Sequence, residues 1–344
     1  MGNINIIKLA EELNLSKSTV SRAFRGGSDI NPQTREKILA RAKELNFLPN
    51  HHASNLRNQK SKTIAVIVPE IANNFFSKAI NGIEKVAKDK SYHVLIYLTD
   101  DDFQKEVSFV TSLSNGRVDG IIMSVSGEDQ DHSYLQVLKR KKIPLVFFDR
   151  TYEDIETARV TTNDYQSSYE ATEHLIKSGC KKVAYLVVNK NLSIGKTRMQ
   201  GYVDALKKNN IAYDDHLVID CSNELEKNRV ILRNVFETLK PDGVFASVER
   251  LAIASYYVCH EMNISIPDDV RVIGFSSLEI SPLLNPSLST ITQPAYKMGE
   301  RAAELLFEIL EKHEEEKEFI AKNIVLDSEL IQRQSSSLEP VAIS

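Results

Sequence analysis

The chain has 344 residues, of which 42% are hydrophobic and 26% are charged, and its formal net charge at pH 7 is −4. This composition is typical of soluble globular proteins, the length predicts several domains, and no apolar stretch approaches the roughly 18 residues needed to cross a bilayer. The first residues lack the basic and apolar regions of a secretory signal, so we expect a cytoplasmic protein.

Charge is distributed unevenly along the chain. Residues 1–60 hold ten Lys and Arg against five Asp and Glu, which leaves 33 basic and 42 acidic residues for the remainder. This asymmetry indicates a polyanionic partner for the N-terminal segment and a solvated body elsewhere. Cys180, Cys221 and Cys259 are too widely spaced for a disulfide framework or a clustered metal site, so we expect ordinary thiols.

The first fifty residues are predicted to form short helices, because their apolar residues recur at helical spacing. Ala10 supplies the small residue needed where two helices cross, Asn14 tolerates a left-handed turn, and Ser16 can cap the second helix. Polar and cationic side chains then project from the first turns of that helix, as a helix that enters the major groove requires. The alternative is that the three short helices form only a small bundle or an oligomerisation cap.

From residue 63 the pattern changes to short β-branched runs that alternate with amphipathic helices. A first set of runs covers 63–68, 93–97, 120–123 and 144–148, and a second covers 182–188, 217–219, 243–246 and 270–275. Runs that are apolar on both faces indicate buried parallel strands with helices on each side. The sequence therefore predicts an α/β fold: an all-α helix-turn-helix headpiece and two doubly wound parallel-sheet lobes.

Two such lobes predict a cleft between them, and open parallel sheets bind ligands at the carboxyl ends of their strands. The last long helix is predicted at about 295–313, with an acidic, solvated end. The serines at 335–337 are expected to form a mobile tail.

Several motifs occur in a characteristic order. The headpiece contains LSKSTVSR at 15–22, NPQTREKI at 31–38 and LNFLPN at 45–50; the remainder contains ASNL at 53–56, VPEIANNFF at 68–76, RMQGY at 198–202, IPDDVRVIGF at 266–275 and PSLSTI at 286–291. Together they resemble the LacI/GalR family of bacterial regulators over essentially the whole chain.

The resemblance implies a domain organisation of the periplasmic-binding-protein type. Residues 1–50 would form the DNA-binding headpiece, 51–61 the hinge helix and linker, and 62–344 the effector-binding and dimerisation domain. Within that domain the N-lobe is expected at about 62–161 and 293–324, and the C-lobe at about 162–292 and 325–334.

The resemblance also implies the DNA contacts. Lys17, Ser18 and Arg22 would read bases, and Leu56 would wedge into the minor groove as a pair across a dimer, with a helix-core role as its alternative. Ser54 departs from the basic or amide residue more usual in the hinge. The residues expected to contact phosphates are Thr19, Ser21, Arg25, Thr34 and Asn50.

Seven residues fall at positions that contact effector in the family: Asn74, Phe75, Ser124, Asp149, Arg198, Glu249 and Ser276. Each of three has an alternative, since Asp149 could cap a helix, Arg198 could bridge the lobes and Phe75 could belong to the core. Ser276 stands where many sugar-sensing relatives carry Asp, and Val248-Glu249 replaces an Asn-Asp pair. We therefore expect the carboxylate that grips a sugar hydroxyl to be missing.

The resulting hypothesis is a repressor that binds a near-palindromic double-stranded DNA operator as a homodimer and responds to a small molecule, a carbohydrate or its derivative. The alternative is control by a protein partner or a phosphorylated metabolite. An enzyme is disfavoured because the sequence shows no Gly-rich phosphate loop, and no cofactor or metal site is expected from its histidine spacing. A transport receptor has similar lobes but no headpiece.

Overall fold

A computed structural model describes residues 6–24, 30–45, 47, 60–127, 131–188, 190–315 and 320–337. The chain divides into two compact units, residues 1–61 and 62–344. The predicted fold class is confirmed, since a helical N-terminal unit is followed by two sheets built almost entirely of parallel strands. Among the described residues, no helix is long and apolar enough to span a membrane.

The N-terminal unit contains helices α1 (Ile6–Glu12), α2 (Lys17–Phe24) and α3 (Pro32–Glu44). Asn14 adopts the predicted left-handed conformation, with φ +52°. The Ser16 hydroxyl accepts a hydrogen bond from the backbone N–H of Thr19 at 3.1 Å, as expected of a helix cap. The three helices bury a small apolar core that consists of Leu9, Ala10, Val20, Ala23, Ile38 and Ala42.

The first lobe is a six-stranded sheet with the strand order β11-β5-β4-β3-β1-β2, and all of its pairs are parallel. Its strands are β1 (Thr63–Val68), β2 (His93–Leu98), β3 (Gly120–Met123), β4 (Leu145–Phe148), β5 (Ala158–Thr162) and β11 (Asn323–Leu326). Its helices are α4 (Asn74–Asp89), α5 (Phe103–Leu113), α6 (Gln136–Lys141) and α11 (Ala295–Glu314). The long last helix was predicted to within one residue.

The second lobe has the order β12-β10-β9-β8-β6-β7, with β12 antiparallel to β10. Its strands are β6 (Val183–Val187), β7 (Val218–Asp220), β8 (Gly243–Ala246), β9 (Arg271–Phe275), β10 (Ser289–Thr292) and β12 (Glu329–Ile331). Its helices are α7 (Asp164–Lys177), α8 (Ser193–Lys208), α9 (Leu225–Thr238) and α10 (Glu249–Met262). Burial raises the pKa of the Cys180 thiol in this lobe to about 11, so that little thiolate exists at neutral pH.

Two details of the first lobe differ from expectation. The β2 strand is not buried on both faces, because it forms the edge of the sheet and leaves Leu95, Ile96 and Leu98 exposed. The sheet also extends to Leu326 in β11, so the chain crosses to the second lobe after this residue and not after residue 324.

Helices α4 and α11 approach each other closely through two glycines. A Cβ atom added to Gly299 would lie 1.9 Å from the carbonyl oxygen of Ala79, and one added to Gly82 would lie 2.1 Å from that of Tyr296. Such distances exclude any side chain at either position. The small residues therefore fix the last helix against the first lobe although the chain has passed through the second lobe in between.

The prediction that the serines at 335–337 form a mobile tail is wrong. Ser335 and Ser336 are completely buried in the second lobe. The Ser335 hydroxyl donates to the carbonyl of Val272 at 2.6 Å and accepts from the N–H of Ser289 at 2.8 Å, and Ser336 bonds to Ser289 and His174. A polar sequence near a terminus gave no sign of these partners, which come from strands and a helix distant in the chain.

We expect Ser335→Ala to lower the free energy of unfolding by about 1–3 kcal/mol, because it leaves a buried carbonyl and a buried N–H without their partner. Urea unfolding would measure this change. Glu329→Ala, at an exposed position of the neighbouring β12, is the control and should change stability by less than about 0.5 kcal/mol. Equal stability of the two variants would contradict the structural role of the tail.

Candidate functional site

Helix α2 separates its polar from its apolar side chains. Lys17, Ser18 and Arg22 are exposed, whereas Val20 and Ala23 are buried in the headpiece core. Cationic and hydroxyl groups thus occupy the free face of the helix near its N-terminus, which is the part of a recognition helix that meets base edges. The Arg22 Nε donates to the carbonyl of Ser18 at 3.4 Å, which holds the guanidinium against its own helix.

The expected phosphate contacts are only partly within the described residues. Thr19 and Ser21 are half-buried beside the exposed face of α2, and Thr34 lies half-buried in the first turn of α3. Arg25, Asn50 and Leu56 lie outside the described residues.

The second unit has a cavity where the carboxyl ends of the strands of its two lobes meet. Phe75 and Phe76 from the start of α4, Asp149 after β4, and Ser276 after β9 contribute to its wall. This is the edge at which open parallel sheets bind ligands, and the polar lining over aromatic walls suits a small polyhydroxylated molecule.

Arg198 organises the floor of this cavity. Its Nε donates to Asp164 Oδ1 at 2.7 Å, its Nη1 donates to the carbonyl of Ser247 at 2.6 Å, and its guanidinium lies 3.6 Å from the ring centroid of Phe275. The side chain is 4% exposed, and its Nη2 has no hydrogen-bond partner among the described residues. A buried donor without a partner is costly, so this nitrogen is a candidate contact for a ligand oxygen.

Glu249 places a carboxylate in the wall of the cavity, although the residue after β9 is not the Asp of many sugar-sensing relatives. It begins α10, and its two oxygens accept from Ser276 Oγ at 2.8 Å and from Asn74 Nδ2 at 2.7 Å. The residue after β9 is a serine, but the carboxylate reaches the same place from the neighbouring element. A comparison of the sequence position by position does not show that side chains from different elements converge in this way.

Asp149 is a buried carboxylate whose polar contacts are long. It adopts a left-handed conformation with φ +61°, accepts from Ser124 Oγ at 3.4 Å, and lies 3.9 Å from the Nε of Arg150. Burial raises its pKa to about 6, despite the opposing effect of Arg150 and Arg198. The carboxylate is therefore held in an environment that a hydrogen-bond donor from a ligand would improve.

The two lobes contact each other directly around the cavity. Glu70 pairs with Arg250, Asp101 Oδ2 accepts from Asn223 at 3.0 Å, and Lys78 Nζ donates to the carbonyl of Ser277 at 2.9 Å. With the bond between Asn74 and Glu249, these contacts hold the lobes together. A ligand that bonds to Glu249 competes with one of them.

The seven residues expected to contact effector fall into two groups. Phe75, Asp149, Arg198, Glu249 and Ser276 line the cavity, whereas Asn74 and Ser124 act behind it by bonding to Glu249 and Asp149. Within the described ranges Asp149 caps no helix, Arg198 pairs within its own lobe, and Phe75 both packs in the core and faces the cavity. Sequence reasoning missed Glu70, Arg150, Asp164, Ser247, Arg250 and Phe275, although four of these directly flank residues or strands already singled out.

Helix-turn-helix geometry followed by two ligand-binding lobes defines a class of protein, the ligand-responsive DNA-binding regulator. The profile described as "Bacterial regulatory proteins, lacI family" matches residues 6–50. The profile described as "Periplasmic binding proteins and sugar binding domain of LacI family" matches residues 61–327. The chain belongs to the LacI family of bacterial transcriptional regulators, as the sequence motifs predicted.

Individual relatives agree with this assignment. The HTH-type transcriptional regulator RegA of Clostridium saccharobutylicum is 30% identical, and the match covers 96% of this chain and 99% of RegA. The crystal structure of the regulator CcpA of Lactococcus lactis superposes with a TM-score of 0.72 at 26% identity, covering 80% and 98% of the two chains. The crystal structure of a LacI family regulator from Enterococcus faecium with bound ribose has a TM-score of 0.70 at 25% identity. The match covers 80% of this chain and 98% of that regulator.

The raised pKa of Asp149 predicts a pH dependence. Because this pKa is higher in the folded than in the unfolded chain, folding takes up a proton between about pH 4 and 6, and the free energy of unfolding falls as the pH rises through that range. Asp149→Asn abolishes this contribution. Its stability relative to the parent protein should therefore increase by about 2–3 kcal/mol between pH 4 and pH 7.5.

Urea unfolding of both proteins at the two pH values measures this change. Asp327→Asn, at an exposed position between β11 and β12, serves as the matched control for the loss of a surface carboxylate. A difference between the parent and Asp149→Asn that is the same at both pH values would show that Asp149 has an ordinary pKa.

Proposed function

We propose that this protein is a transcriptional repressor that binds a near-palindromic operator as a homodimer and is switched by a neutral sugar in the cleft between its lobes. The observation that carries the proposal is the exposed polar face of α2, with Lys17, Ser18 and Arg22 on a folded helix-turn-helix headpiece. In this reading those three side chains contact bases, and Thr19, Ser21, Arg25, Thr34 and Asn50 contact phosphates. Leu56 would insert into the minor groove.

The charges around the cavity favour a neutral ligand over a phosphorylated one. Arg198 is engaged by Asp164, Arg250 by Glu70, and Arg150 by Asp101 at 2.5 Å. An anionic ligand would have to break one of these pairs and approach the carboxylates of Asp149 and Glu249. Hydroxyl groups, in contrast, can donate to both carboxylates and accept from the free Nη2 of Arg198. The ribose bound to the Enterococcus faecium relative is a ligand of this kind.

Exposed apolar surface on the first lobe supports association with a second copy of the chain. The edge strand β2 leaves Leu95, Ile96 and Leu98 between 36% and 42% exposed, although edge strands of monomers are usually protected by charge or cover. A dimer would present two headpieces to the two halves of a palindrome. We attribute no catalytic role to the cavity, whose carboxylates and guanidinium groups are arranged to bind.

Selection of bound duplexes from a random DNA library tests the DNA-binding part of this proposal. The expected result is a near-palindromic consensus. With this operator, Lys17→Ala or Arg22→Ala should relax base preference at particular positions by about 1–3 kcal/mol, because base contacts carry sequence information. Thr34→Ala is the matched control and should weaken operator and random DNA equally. Equal losses on both DNAs for all three variants would refute the base-reading role of α2.

The cleft is tested by thermal shift with a panel of pentoses and hexoses, starting with D-ribose. Glu249→Gln should reduce the affinity for any stabilising sugar by about tenfold to a hundredfold, because a hydrogen bond to a charged acceptor contributes about 1.5–3 kcal/mol. Glu226→Gln, at an exposed position on α9, should leave the shift unchanged. Sugar-dependent shifts that are equal in all three proteins would place the ligand away from Glu249.

A further inference from the structure

Four consecutive cations end helix α6 of the first lobe. Lys139, Arg140, Lys141 and Lys142 are all exposed, and Lys142 ends the helix in a left-handed conformation with φ +56°. We call these residues the α6 basic cluster. They play no part in the cavity or in the helix-turn-helix.

The α6 basic cluster is a run of four consecutive cations, and this run distinguishes it from the other exposed cations of the domain. Several exposed lysines elsewhere pair with carboxylates, as Lys85 does with Asp89 at 2.6 Å and Lys177 does with Glu173 at 2.8 Å. Across the described parts of the chain, no ion pair or side-chain hydrogen bond involves any member of the cluster. Residues 61–344 carry 42 acidic and 33 basic side chains, so this run of four cations is a local region of positive charge on a domain whose net charge is negative.

The helix itself does not account for so much positive charge. The C-terminus of a helix carries the equivalent of about −0.5 elementary charge, and one cation is enough to balance it. Four adjacent cations repel each other, and this repulsion is relieved when they neutralise a polyanion. The cluster therefore has the properties of a site for a polyanion.

The topology shows which edge of the first lobe carries the cluster. Helix α6 lies between the parallel strands β3 and β4, so it returns the chain from the carboxyl edge of the sheet to the amino edge. Strand β1 also begins at the amino edge, where the N–H of Lys62 donates to Asp119 Oδ2 at 3.0 Å. The chain that comes from the headpiece enters the lobe at this edge. Arg117, which precedes β3, is a further exposed cation there.

We infer that the α6 basic cluster binds the phosphate backbone of the DNA that flanks the operator. This inference rests on the proposed function, because it requires the headpiece to hold the protein on DNA. The contacts add affinity without base preference, since lysine and arginine recognise phosphates through charge. The preferred DNA is then longer than the sequence that the headpieces read.

The test compares two duplexes that contain the selected operator core, one ending at the core and one extended by about ten base pairs on each side. The quadruple variant K139Q/R140Q/K141Q/K142Q should lose roughly tenfold in affinity for the extended duplex at 0.1 M salt and keep its affinity for the core. Each lost phosphate contact should lower the slope of log affinity against log salt by about 0.9.

Two further variants control for charge and folding. K181Q/K207Q/K208Q/K240Q removes the same charge from exposed positions of the second lobe and should bind both duplexes like the parent protein. K139R/K141R/K142R keeps the cluster cationic and should retain the preference for the extended duplex.

The outcomes separate the inference from the proposed function. Equal affinities of the parent protein and the K139Q/R140Q/K141Q/K142Q variant for the extended duplex, or equal losses on both duplexes, would overturn the inference alone. An effect of the same size in the second-lobe variant would also overturn it, by showing a general effect of charge. A parent protein that binds no selected core contradicts the proposed function, and the inference falls with it.

Discussion

The buried ion pair between Arg198 and Asp164 is the interaction on which the ligand-binding unit depends. Both side chains are less than 10% exposed, and the guanidinium also holds Ser247 and the ring of Phe275. One side chain thus ties helices α7 and α8 to the ends of β8 and β9. Removing either partner would leave a buried charge uncompensated, which typically destabilises a protein by 3–5 kcal/mol. In this structure the pair is intact, and it holds the Arg198 guanidinium in a fixed position at the cavity floor.

Under the proposed function, the contacts between the lobes are the means by which a ligand in the cleft would act. Asn74 and Glu249 belong to different lobes, and their bond uses a carboxylate that also faces the cavity. A sugar hydroxyl that donates to Glu249 therefore acts on the same group that joins the lobes. A change in lobe contacts of this kind is the differential interaction that a switch between two states requires. Asp149 also favours the ligand-bound state, because burial of its charged form is unfavourable until a ligand group donates a hydrogen bond to it.

Much of the fold could be predicted because its signals are local. Asn14 at the turn, Ser16 at the start of α2, and the apolar runs of β1 and β6 each reflect the conformation of a few neighbouring residues. The order of these elements then limits the topology, since parallel strands joined by helices form doubly wound sheets.

Other features could not be predicted, because they depend on residues far apart in the chain. The tail serines give no local sign that they bond to Val272 and Ser289. The exposed face of β2 results from its place at the edge of the sheet, and its sequence resembles that of a buried strand.

For this protein the sequence by itself determined the family, the three headpiece helices, the alternation of strands and helices, and five side chains that line the cavity. Only the tertiary structure decided that Glu249 stands beside Ser276, that Arg198 pairs with Asp164, and that Asn74 supports the site from the other lobe. The physical reason is the range of the forces. Helix caps and hydrophobic periodicity act over a few residues, whereas the charge and hydrogen bonding of a site are set by elements that folding brings together.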